Sequence, residues 1–166
     1  MVEQRDNSKK ATRAFVITVS DRGSRGERED KSGPRVVERL QEVGIEATLS
    51  MVRDGADSVS VAIRAAIDEG ADLIITSGGT GVGPRDLTPE GTAPLLTREI
   101  PGIAEEMRRV GAAKTPMAIL SRGLVGLAAT TLVVNLPGSV KAVDEGMDVV
   151  LPILDHILDQ VVGGDH

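Results

Sequence analysis

Three acidic residues stand in glycine-bearing turns: Asp21 in Ser20-Asp21-Arg22-Gly23, Asp54 in Arg53-Asp54-Gly55, and Asp86 shortly after Ser77-Gly78-Gly79-Thr80-Gly81. A fourth polar turn, Asn135-Leu136-Pro137-Gly138-Ser139, carries no acid. Carboxylates can hold a divalent cation or work as general bases. Consecutive glycines tolerate positive φ and let backbone N–H groups converge on an anion. Thr80, a hydroxyl amid glycines, adds a donor for an oxyanion. The combination points to chemistry at a phosphate.

The loop at residues 78–83 (GGTGVG) has limits that narrow its meaning. No Gly-Lys-Ser/Thr follows, so it is not a P-loop, and Pro84 stands where the dinucleotide fingerprint needs its third glycine. Asp86 beside a phosphate would repel it unless a cation lies between them, and Mg²⁺ favours one or two carboxylates plus phosphate oxygens. Each feature also has a plainer reading. The loop can be a tight strand-to-helix turn without a ligand, Asp86 can cap a turn, and Asp-Gly at Asp54 is an ordinary turn pair. Ser-Asp-Arg-Gly at Asp21 is a good solvated turn. Ser139 reads as a helix N-cap rather than a nucleophile, and a helix starting there offers N–H groups to a second phosphate. Arg85, Arg122 and Lys141 are candidates to offset anionic charge.

These turns gain force from the elements before them. Residues 14–20 (AFVITVS), a short β-branched run, and 71–77 (ADLIITS) read as strands, and 45–52 is a further strand candidate. Residues 116–136 carry one or two more strands with a glycine-rich bend. After the first strand a long polar loop, 20–33, leads to a helix with Pro34 in its first turn and Val36, Val37, Leu40 and Val43 on one face. The next helix is expected to be capped by Asp57 or Ser58 and to bury Val59, Ile63, Ala66 and Ile67. Helices are also expected from Thr88, over 102–113, and from Ser139 to near Val162 with a jog at Pro152. Alternating strands and helices predict an α/β domain with a largely parallel sheet covered on both faces. In such sheets ligands bind at the carboxyl ends of strands, where all four turns fall.

Composition closes other routes. The chain has 166 residues, no Cys, no Trp, no Tyr and one Phe, Phe15. Disulfides, zinc ribbons, iron–sulfur clusters and thiol catalysis are excluded, and only His156 and His166 could serve a histidine-dependent triad. A net charge of −6 and the missing aromatics argue against nucleic-acid binding. No apolar run approaches the roughly 20 residues of a membrane span. The expectation is one soluble, cytoplasmic domain over 14–166 after a polar N-terminal tail, 1–13.

The residues then carry a resemblance. Residues 76–81 (TSGGTG) followed by 84–90 (PRDLTPE) resemble the signature of the molybdopterin-binding, Mog/MoaB-type family of molybdenum cofactor biosynthesis. Residues 19–22, 30–33, 120–122 and 135–138 fall in the family's order and spacing, and the similarity covers about 14–160. The resemblance implies a three-layer α/β/α domain with a mostly parallel, mixed sheet, assembled as a trimer or a dimer of trimers. It implies Mg-ATP-dependent adenylylation of molybdopterin, releasing pyrophosphate, with a molybdenum-insertion enzyme downstream. Asp54 and Asp86 would be the catalytic acids and hold Mg²⁺. Ser77, Gly78, Gly79, Thr80 and Gly81 would form the phosphate loop, and Ser121, Asn135, Pro137, Gly138 and Ser139 would complete the nucleotide side. Ser20 and Asp21 would lie nearer the pterin. The alternative is a carrier of the same fold that binds molybdopterin without adenylylating it; a generic nucleotide phosphohydrolase is a third reading.

Overall fold

The structure, a computed structural model, describes residues 10–164. Most of the expected tail, residues 1–9, and the last two residues lie outside the described residues. Arg13, placed in the tail by its polarity, is already bonded into the fold. Its N–H donates to Asp72 Oδ2 at 2.8 Å, and its carbonyl accepts from Asp72 and Leu73.

In chain order the elements are β1 (Ala14–Val19), α1 (Asp21–Ser24), α2 (Ser32–Gln41), β2 (Ala47–Val52), α3 (Ala56–Asp68), β3 (Leu73–Ser77) and α4 (Thr88–Thr92). They continue with β4 (Arg98–Glu99), α5 (Pro101–Lys114), a 3₁₀ turn (Pro116–Leu120), β5 (Val125–Ala128), β6 (Thr131–Leu136) and α6 (Val140–Val161). The sheet order is β2-β1-β3-β6-β5-β4. β1, β2, β3 and β6 run parallel, while β5 pairs antiparallel with both β6 and β4.

Alternation along the strands sorts side chains into two cores. Val16, Leu73, Ile75, Leu132, Val134 and Leu136 pack with Val36 and Leu40 of α2, Ile103 of α5 and Met147 of α6. Ile17, Val19, Ile74 and Val133 face the other way, against Val59, Ile63 and Ala66 of α3. The expected three layers and both-sided cover follow, with an interior that is aliphatic but for half-buried Phe15 and some buried polar side chains.

Several details differ from the sequence expectation, each for a local reason. The loop 20–33 contains α1, because the Ser20 hydroxyl accepts the Gly23 N–H and closes a turn. Val43 falls beyond α2 and is exposed. β2 is an edge strand with exposed Leu49 and Met51. Neither Asp57 nor Ser58 caps α3; Gly55 holds that position with φ 129°, and the Ser58 hydroxyl donates to the Arg53 and Gly55 carbonyls. Ser139 does cap α6, accepting from the Ala142 N–H at 3.1 Å. Pro152 lies inside α6 without ending it.

Candidate functional site

From β1 the chain turns outward to β2, whereas β3 is followed on its other side by β6. Their carboxyl ends therefore border a crevice at the switch in strand order. A cleft of about 990 Å³ opens there, at the upper end of the range for small-molecule sites. Asp54, Ser20 and residues 77–81, Asp86, Ser121 and 137–139 all line it.

The glycine loop is built so that its amides stay available. Gly78 donates to the Leu136 carbonyl at 2.9 Å. Gly78 (φ 104°) and Gly79 (φ 68°) adopt the left-handed region, which side chains resist. A Cβ on Gly78 would lie 2.3 Å from the Val19 carbonyl oxygen, and one on Gly79 2.2 Å from Thr88 Oγ1. Buried Thr88 locks the turn, its hydroxyl donating to the Gly78 carbonyl and its N–H to that of Gly79. Among the described residues, the N–H groups of Gly79, Thr80 and Gly81 donate to no protein acceptor. They are left available to act as the donors of an anion nest.

Both acids border that nest. Asp54 Oδ2 accepts the Asp21 N–H at 2.9 Å, and Oδ1 lies 3.4 Å from where a Gly79 Cβ would be. Asp86 Oδ2 accepts the Gly83 N–H at 3.0 Å and fills the space that side chains at Gly81 and Gly83 would take. Each carboxylate thus spends one oxygen on a backbone amide, and among the described residues the other accepts no hydrogen bond. Such half-used acids fit Mg²⁺ completed by substrate phosphate oxygens. No group of three or more His, Cys, Asp or Glu suited to a metal occurs among the described residues, so the acids would share the ion with a ligand.

Asp21 is less available than its type suggests. Arg85 donates to both its oxygens, at 2.6 and 3.1 Å, and to the Asp54 carbonyl. The guanidinium holds the Asp21 carboxyl below the usual carboxylate range. Arg122 is likewise committed: it donates to the carbonyls of Gly81 and Asp86 and pairs with Glu90. The two arginines read as compensating charge therefore clamp the loops instead. Lys141 does line the cleft, though its ammonium donates to Thr115 Oγ1. Arg28 and Lys31 also line it, and among the described residues neither has a carboxylate partner. Arg28 sits in a polar stretch that reads as loop and gave no signal, whereas Lys31 falls within the 30–33 motif without being singled out as a charge donor.

The remaining candidates divide into wall and support. Ser121 Oγ lies 3.4 Å from Thr80 Oγ1. Ser77 is fully buried, with its hydroxyl on the Pro137 carbonyl. Asn135 is also buried, and its amide bridges Thr76, Thr92 and the Leu124 N–H. It fixes the end of β6 from behind the cleft. Gly138 packs against Gly78, with 3.3 Å between the Gly78 Cα and a would-be Cβ. The walls beyond are aliphatic, from Met117, Ala118, Leu120 and Val140. His156 is exposed on α6 and does not line the cleft.

The family description "Probable molybdopterin binding domain" matches residues 15–156. The chain is 38% identical to the molybdopterin adenylyltransferase of Pyrococcus furiosus, covering 92% of this chain and 95% of that protein. It is 42% identical to a molybdenum cofactor biosynthesis bifunctional protein of Synechococcus elongatus, over 92% of this chain but 48% of the relative. The chain thus spans about half the length of that kind of relative. Among solved structures, the molybdopterin biosynthesis enzyme MoaB of Thermus thermophilus superposes with a TM-score of 0.83 at 48% identity, covering 92% of this chain and 97% of that one. A nest flanked by two acids at the switch point, in a sequence matching along nearly its whole length, leads to one conclusion: the chain belongs to the molybdopterin-binding domain family of molybdenum cofactor biosynthesis.

Proposed function

We propose that the chain adenylylates molybdopterin, consuming ATP and releasing pyrophosphate. The observation that carries this reading is the meeting of Asp54 and Asp86 at the free amides of Gly79, Thr80 and Gly81, which follow β3, between β1 and β6 in the sheet. The lining divides accordingly: Ser20 and residues 28–32, after β1, form what we call the first arm, and Ser121, Ser139 and the 3₁₀ turn, beside β5 and β6, form the second. We assign the pterin to the first and the nucleotide to the second.

In the reaction, a phosphate oxygen of molybdopterin attacks the α-phosphorus of ATP. A P–O bond forms to the adenylyl group, and the bond to the β-phosphate breaks. An ionised phosphate nucleophile needs no general base, which suits a cleft without histidine. The chain's part is positioning and charge complementarity, the terms that dominate such transfers. The amides of residues 79–81 hold a phosphate oxygen, and the first turn of α6 faces a second anion. Asp54 and Asp86 would hold Mg²⁺, which supplies neutralisation of phosphate charge. Arg28, Lys31 and Lys141 complement the remaining negative charge.

Among the described residues no helix is long and apolar enough to cross a membrane, and dependence on ATP supports a cytoplasmic location. A homotrimer, with a hexamer as its dimer, is the assembly we favour, and a molybdenum-insertion enzyme is the consumer of the product. The test is pyrophosphate release from Mg-ATP with molybdopterin present. Binding of molybdopterin without release would make the chain a carrier instead.

A further inference from the structure

Among the described residues, Glu145 Oε1 is the buried side-chain oxygen or nitrogen left without a hydrogen-bond partner. Its side chain is 10% exposed. It lies on α6 beyond the Ser139 cap, facing α5 and the 3₁₀ turn, and forms part of the wall of the second arm. Lys114 and Lys141 stand 4.0 Å from Oε1, close enough to offset its charge but too far to donate a hydrogen bond. Gly111 opens the space beside it: a Cβ there would meet Ala118 Cβ at 2.8 Å and lie 3.4 Å from Glu145 Oε2.

A desolvated carboxylate without donors is a cost to the fold. Such a group is retained where a ligand supplies the missing donor. The arm around it has aliphatic walls and no aromatic ring, so a flat base there gains little selectivity from its faces. Discrimination has to come from the ring edge. A carboxylate only accepts hydrogen bonds, so it favours an exocyclic amino group and repels an oxo group at the same place.

We propose that Glu145 is the specificity residue for adenine, accepting a hydrogen bond from its 6-amino group. This assignment rests on the reading of the second arm as the nucleotide side. Its test is equilibrium dialysis of the full chain with Mg-ATP and Mg-ITP, which differ in 6-amino against 6-oxo. With no Trp or Tyr in the chain, base absorbance reads the bound fraction directly. Wild-type protein should prefer ATP by roughly ten- to a hundredfold. Glu145→Gln can offer either a carbonyl or an amino group, so the preference should shrink to within about threefold. Glu145→Leu should lose it as well, with an unchanged or raised melting temperature because a buried carboxylate oxygen without a hydrogen-bond donor is gone. Competition by pyrophosphate should be equal in all three. Retention of the wild-type ratio in either variant overturns the proposal, as does a parallel loss of pyrophosphate competition. Wild-type protein that binds both nucleotides equally overturns the role of Glu145 alone. Wild-type protein that binds neither overturns the nucleotide reading and this assignment with it.

Discussion

Asp21 and Asp54 hold each other's backbones. The Asp21 N–H donates to Asp54 Oδ2 at 2.9 Å, and the Asp54 N–H donates to Asp21 Oδ1 at 3.2 Å. This exchange joins the turn after β1 to the turn after β2, so the strand ends position the Asp54 carboxylate before any ligand arrives. Preorganisation of this kind spares reorganisation during the reaction.

Asp54→Asn separates the two roles of that residue. The amide oxygen can still accept the Asp21 N–H, so the fold should be retained and the melting temperature little changed. If the proposed reaction holds, turnover should fall by about 100-fold or more, because the charge that would hold Mg²⁺ against the phosphates is gone. Asp54→Ala should lose comparable activity and also about 1 kcal/mol of stability, since it leaves the Asp21 N–H without its acceptor. Pyrophosphate release and thermal melts measure the two effects, and an Asn variant with near wild-type rates would remove Asp54 from the chemistry.

Gly83 offers a route to Asp86 that leaves the acid in place. A Cβ on Gly83 would lie 2.8 Å from Asp86 Oδ2, and the Gly83 N–H is that oxygen's donor. Gly83 is not among the residues of positive φ, so alanine strains no backbone there; it displaces the carboxylate. Gly83→Ala should lower kcat by about tenfold or more, with an unchanged circular dichroism spectrum. Full activity in this variant would show that the position of Asp86 tolerates the shift.

Much of this site was legible because strand ends and glycine turns leave strong local signals. Residues 71–77 announced β3 through the apolar triplet Leu73-Ile74-Ile75, and the glycines after it marked the nest. What stayed hidden depends on partners far along the chain. Arg85 and Arg122 read as free cations, yet each is claimed by an acid many residues away, Asp21 or Glu90. Asn135 is assigned to the nucleotide side by the family resemblance. Its amide is instead used by Thr76 and Thr92, which only the folded register brings beside it. Glu145 gave no signal, since an acid on an amphipathic helix is ordinarily solvated. The antiparallel β5–β6 pair lies within residues 116–136, which read as one or two strands with a glycine-rich bend, and periodicity there does not reveal direction.

The Asp21–Arg85 pair makes a prediction about pH. The guanidinium lowers the Asp21 pKa in the folded state, so the pair stabilises the fold above the ordinary carboxylate pKa of roughly 4. That stabilisation is lost as pH falls through the depressed value. The stability difference between wild type and Asp21→Asn, from urea titrations, should therefore be constant from about pH 5 to 8 and close only in more acidic solution. A difference that varied across neutral pH would assign the dependence to another group.

Arg122 tests whether the glycine loop is held by geometry or by charge. Its Nε donates to the Gly81 carbonyl at 2.9 Å and its Nη2 to the Asp86 carbonyl at 2.6 Å, while Glu90 takes the outer edge of the fork. Lysine keeps the charge but has no planar fork with which to span both carbonyls. Arg122→Lys should therefore cost about 1–2 kcal/mol, mostly from a lost carbonyl contact; the exposed pairing with Glu90 adds little. Amide hydrogen exchange over residues 81–86 should quicken while α3 and α6 remain protected, and turnover should fall because the segment carrying Asp86 is no longer pinned. If Arg122→Lys exchanged like wild type and Glu90→Gln did not, the ion pair rather than the carbonyl clamp would hold the loop.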